Sequence, residues 1–91
     1  MISVTDEAKE LLKETLLANT DDRELGLRLK MEASGDFGLI PDKEAEGDQV
    51  VEHDALKVLL VAEEVGVMVK GYTLDVQYTA AGPKLVLLMI A

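Results

Sequence analysis

At 91 residues the chain has the length of one compact domain with a single core, and 48% apolar against 30% charged residues is not the composition of a disordered polymer. The formal net charge of −9, from 18 acids and 9 bases, repels a phosphate backbone, so nucleic acid is not an expected partner. There is no cysteine, which excludes disulfides and thiolate ligation and makes a second copy of the chain, as a homodimer, the expected support for so small a core.

Ser3 and Thr5 are N-cap residue types, and Asp6, Glu7 and Glu10 follow where carboxylates oppose the positive end of a helix dipole. Ala8, Leu11, Leu12 and Leu16 then fall on one stripe of that helix, which Asn19-Thr20-Asp21-Asp22 should end near Ala18. From Leu25 to Ala33 apolar residues alternate with Gly26, Arg28, Lys30 and Glu32, the period-two pattern of a strand with one wet face. Ser34-Gly35-Asp36-Phe37-Gly38 reads as a tight loop, with two glycines free to take positive φ.

Between Asp42 and Asp54 there are six acids and one lysine, with Pro41 before them and Gly47 within, so a solvated connection into a strand at Val50-Val51 is expected. Leu56 to Ala62 predicts a mostly buried strand, and Glu63 to Val69 about two turns of helix ended by Gly71. Alternation over residues 73–79, a turn at Ala81-Gly82-Pro83 and the run Leu85 to Ile90 predict a closing β-hairpin. The whole is one leading helix, four to six strands and a short second helix, an α+β fold that is mostly β. The final run lacks alternation, which implies a strand covered on both faces, either as the central strand of the sheet or with one face against another subunit. At seven residues, Leu85 to Ala91 is far short of the roughly 20 a membrane-spanning helix needs. The start of the chain runs at once into Asp6-Glu7-Ala8-Lys9-Glu10 without a leader pattern, so a cytoplasmic location and no membrane partner are expected.

Several short strings, taken in order, resemble the HesB/IscA-like family, the A-type carriers of iron–sulfur cluster assembly. They are Thr5-x-x-Ala8, Gly26-Leu27-Arg28-Leu29, Ser34-Gly35-x-x-Gly38, Asp48-x-Val50-Val51-Glu52-x-Asp54 with Lys57-Val58, and Gly71-x-x-Leu74-Asp75. The resemblance implies a single HesB/IscA-like domain over residues 1–91, opened by a helix and followed by a small mixed β-structure, in a dimer or tetramer. It also implies a functional loop at Ser34, Gly35, Asp36, Phe37 and Gly38. The family carries its first cysteine in that loop, within a Ser-Gly-Cys-x-Gly type string, and two more in a Cys-Gly-Cys tail; here Asp36 holds the first place and the 91 residues contain no Cys-Gly-Cys string. Cluster iron is held by soft thiolates, for which an aspartate oxygen is a poor substitute, so an iron–sulfur cluster is not an expected cofactor.

Asp36 has two readings, as a turn residue or, with its counterpart in a dimer, as a hard oxygen ligand for iron, manganese or magnesium. Phe37, the only phenylalanine, is expected to pack locally or at an interface. Asp42, Glu44, Glu46, Gly47 and Asp48 follow the first positions of a calcium loop, but the twelfth would be His53 instead of glutamate, and a solvated acidic loop accounts for them better. His53, the lone histidine, lies between Glu52 and Asp54 and is either an exposed strand-edge residue or a pH-sensitive group. No nucleophile with a matched base is visible, so no enzyme is expected. The sequence thus points to a non-catalytic HesB/IscA-like protein that acts through a protein partner in cluster assembly, with a carboxylate-based metal-binding protein as the alternative.

Overall fold

The computed structural model describes residues 2–89. Strand β1 (Ser3–Val4) leads into helix α1 (Asp6–Asn19), followed by β2 (Leu25–Met31), β3 (Phe37–Lys43), β4 (Gln49–His53) and β5 (Leu56–Val61). A short helix α2 (Glu63–Met68) precedes the hairpin of β6 (Tyr72–Thr79) and β7 (Gly82–Met89). The fold is α+β and mostly β, and no helix among the described residues is long and apolar enough to cross a membrane.

Thr5 caps α1, its hydroxyl oxygen accepting from the Ala8 N–H at 3.2 Å while it donates to Asp75 Oδ1 at 2.9 Å. One side chain therefore starts the helix and ties it to β6. The stripe read from the sequence is the packed one, since Ala8, Leu12 and Leu16 are buried and Leu11 is partly buried. The helix lies against β5 and β6, which belong to different sheets, and so joins them. One sheet has the order β1-β6-β7, with β1 parallel to β6; the other has the order β3-β2-β5-β4, with β2 parallel to β5. Leu27 and Leu29 of β2, Leu56, Val58, Leu59 and Val61 of β5 and Leu74 of β6 complete the core with the helix. Each fully buried leucine or valine contributes roughly 1.5 to 3 kcal/mol.

Three expectations need correction. The expected wet face of β2 is wet only at its far end, because Gly26 and Arg28 are buried while Lys30 and Glu32 are exposed. The segment before the acidic run is not simply loop, because Phe37–Lys43 pairs along its whole length with β2, from Met31↔Phe37 to Leu25↔Lys43. Pro41 is tolerated there because β3 is an edge strand, where one row of backbone donors is not needed. Finally, β7 is the outer strand of its sheet and not a central one, and its Leu88 and Met89 are exposed by 48% and 68%. With β1 and β3 included, seven strands are formed among the described residues, more than the four to six expected. Ile90 and Ala91, the end of the apolar run, lie outside the described residues.

Gly26 is fixed by proximity. A Cβ on it would lie 2.6 Å from the Lys57 carbonyl oxygen and 3.1 Å from Leu60 Cγ, so β2 and β5 approach as closely as they do only because no side chain stands between them. Gly26→Ala should separate the two strands and destabilise the protein by about 1 to 3 kcal/mol. Urea unfolding should show this as a lower midpoint at unchanged slope.

Candidate functional site

The loop between β2 and β3 is closed by its own backbone. The Glu32 N–H donates to the Asp36 carbonyl at 2.8 Å and the Gly35 N–H to the Glu32 carbonyl at 3.0 Å, a turn that Gly35 completes at φ +90°. At its tip Ser34 Oγ donates to Asp36 Oδ2 at 3.3 Å, and both residues are exposed. Phe37 and Leu39 turn inward and pack on the core.

This loop and the C-terminal strand, separate candidates in the sequence, meet in space. Residues 35–39 face residues 84–87 of β7 across an open groove of about 680 Å³. Consecutive residues line both walls, whereas the face of a strand would present only alternate ones, so the groove runs along two strand edges. Both β3 and β7 are outer strands of their sheets. Of the five loop residues singled out by sequence, Gly35, Asp36, Phe37 and Gly38 line the groove, and Ser34 reaches it through its bond to Asp36.

On the opposite face of β2 from the Leu27 and Leu29 side chains lies a second polar centre. Arg28 Nε donates to Asp42 Oδ2 at 2.6 Å, Nη1 and Nη2 donate to the two oxygens of Asp48 at 3.0 and 2.8 Å, and Nη2 also donates to the Lys43 carbonyl at 2.9 Å. The Asp48 side chain is only 2% exposed and that of Arg28 9%. Hydrogen bonds from Arg28 hold both carboxyls below their ordinary value of 3.8, and the hydrogen bond to Asp48, with that to Asp42, holds the guanidinium pKa above its own. The 42–48 run is therefore tethered rather than freely solvated, and its two end acids are spent on an arginine.

No family model matches the chain, and no curated protein matches it by sequence. Solved structures do match. SufA of Escherichia coli, involved in the biosynthesis of iron–sulfur clusters, superimposes with a TM-score of 0.72 over 94% of this chain and 82% of its own, at 19% identity. The chain has the HesB/IscA-like fold. A protein of Aquifex aeolicus solved by NMR in solution gives a TM-score of 0.65 at 25% identity over 94% of this chain and 88% of that one. IscA crystallised with a 2Fe-2S cluster gives 0.60 at 17% identity, over 96% and 83%.

The HesB/IscA-like fold is here without a cysteine thiolate. At the groove mouth the charged side chains are a carboxylate, Asp36, and an ammonium, Lys84, and the chain has no thiol to offer anywhere. Iron bridged by sulfide is matched by soft thiolates, so this donor set does not fit a 2Fe-2S cluster. The carboxylates proposed from sequence as an alternative metal site do not meet within one chain. Asp42 and Asp48 are bound to Arg28, and Asp36 stands at the other end of β3 from Asp42, roughly 20 Å of strand away. His53 ends β4, an edge strand, and is partly buried under α1, with Nε2 2.8 Å from Glu10 Oε2.

Because the folded-state pKa of Asp42 and Asp48 lies below 3.8, the stability they contribute is complete above that pH and is lost as pH falls below it, through the folded-state values. Asp48→Ala leaves a buried guanidinium half-paired and should cost about 3 to 5 kcal/mol at neutral pH. In urea unfolding measured at pH 7 and at pH 3, the variant should lose less stability on acidification than the unaltered chain.

Proposed function

We propose that the chain is a non-catalytic HesB/IscA-like protein that serves iron–sulfur cluster assembly in the cytoplasm as a binding or accessory protein, without carrying a cluster on cysteines. The observation that carries this reading is Asp36. It stands where the resemblance places the family's first cysteine, at the mouth of the groove between β3 and β7, in a chain without a thiol. The groove is the surface we assign to a protein partner. Its walls pair unsatisfied strand edges with the partly exposed apolar side chains of Phe37, Leu39, Leu85 and Leu87, a surface suited to protein contact and not to chemistry on a small substrate. Leu88 and Met89, exposed on the same outer strand, support self-association as a homodimer.

Native mass spectrometry before and after anaerobic incubation with ferrous iron and sulfide tests both parts. The expected spectrum is that of a dimer that gains no iron–sulfide mass. An added mass of two irons and two sulfides that is absent in Asp36→Ala would overturn the proposal and assign cluster binding to oxygen ligands.

A further inference from the structure

His53 and Asp54 sit where β4 turns into β5. Asp54 and Ala55 both have positive φ, 52° and 65°, the form of a two-residue hairpin turn, and this turn carries the two side chains under α1. There His53 Nε2 lies 2.8 Å from Glu10 Oε2 and 3.6 Å from Asp54 Oδ2, and the three donor atoms are all within 4.8 Å of one another. Two ligands of a tetrahedral zinc ion with bonds of about 2.0 to 2.2 Å stand about 3.3 to 3.6 Å apart, within the span of the two distances to His53. A positive group already lies against the carboxylates. Lys13 Nζ is 2.8 Å from Asp54 Oδ2 and 4.0 Å from Glu10 Oε1, and its hydrogen bond, then the charge of His53, hold the Asp54 carboxyl below its ordinary pKa.

We propose that Glu10, His53 and Asp54 form a binding site for a borderline divalent cation of the Zn2+ class, which clips α1 to the β4–β5 turn with solvent completing the coordination. The set differs in kind from the acidic clusters elsewhere on the chain. One ligand is an imidazole nitrogen, which suits zinc and its neighbours among the transition metals, whereas calcium and magnesium take oxygen ligands. Two elements distant in sequence supply the donors, so the set exists only in the folded chain. Access is open, because the Glu10 and Asp54 side chains are about half exposed, at 53% and 57%, while that of His53 is held at 24%. Lys13, on a flexible four-carbon stem, moves its ammonium out toward solvent when the divalent ion enters. This site shares no residue with the groove and is independent of the proposed role in cluster assembly.

The test is titration of the full chain with zinc chloride, followed by calorimetry and by NMR of the imidazole ring protons, which are unambiguous because His53 is the only histidine. One zinc per chain with displaced His53 resonances is expected. His53→Ala should weaken binding by at least the roughly tenfold that loss of even an outer-shell partner costs. Lys13→Met should tighten binding at least about fivefold, because two unit charges about 4 Å apart in water repel by about 1 kcal/mol and the ion carries two; a gain of affinity cannot arise from misfolding. Zinc binding that is equal in His53→Ala, or that leaves the ring resonances unmoved, would show adsorption to the acidic surface and overturn the site.

Discussion

The connection from β3 to β4 has to cross the whole four-stranded sheet, because these strands lie at its two opposite edges, and the guanidinium of Arg28 is what it crosses over. Three strand spacings amount to about 14 Å, bridged by the few residues between Lys43 and Gln49. Arg28, on an inner strand, takes Asp42 and the Lys43 carbonyl as the chain leaves β3 and Asp48 just before it enters β4. Asp48 in turn accepts from the Ala45 N–H at 2.7 Å, which folds the crossing back on itself. The fork geometry of arginine lets one side chain make four hydrogen bonds to three groups, two of them bidentate on Asp48, whereas a lysine ammonium has only three donors on one atom. The edge strands are held by their ladders with β2 and β5, and the two ends of the crossing between them are tied together through this one residue.

Elements whose signal is local were legible in the sequence. The cap at Thr5, the stripe of Ala8, Leu12 and Leu16, the apolar run of β5 and the closing hairpin all follow from neighbouring residues. What failed depended on residues far along the chain. Arg28 occupies a polar slot in an alternating strand and would ordinarily be wet; it is buried because acids 14 and 20 positions later return to cover it. Strand β3 was hidden because its sequence is interrupted by Gly38 and Pro41, and pairing with β2 overrides that weak propensity. The unbroken apolar run of β7 suggested a central strand, but β1 already fills the other side of β6 and leaves β7 outermost. Within the site, the loop 34–38 was identified by resemblance, while its meeting with β7 and the approach of Glu10 to His53 were accessible only to the folded chain.

A fold shared with an IscA crystallised with a 2Fe-2S cluster here meets a chain with only oxygen donors at the tip of the loop between β2 and β3. The acids that dominate its charge are not equivalent. Asp42 and Asp48 are structural, bound to Arg28, and Glu7 accepts from the Tyr78 hydroxyl at 2.7 Å, fastening the β6–β7 hairpin to α1. Glu10 and Asp54 converge on an imidazole and an ammonium. Asp36 alone among these stands at the groove, its carboxylate touching only a neighbouring hydroxyl of its own loop. That distribution separates the acids that hold the fold from the one at the groove that does not.

The dependence of the fold on the crossing tie is measured most directly by a double-mutant cycle in which Arg28→Met, Asp48→Leu and the combined variant are compared with the unaltered chain by urea unfolding. A coupling energy of about 2 kcal/mol or more, with the double variant more stable than the two single losses added together, is the result this account predicts. Losses that add to within about 0.5 kcal/mol would mean that Arg28 and Asp48 act independently, and would contradict it.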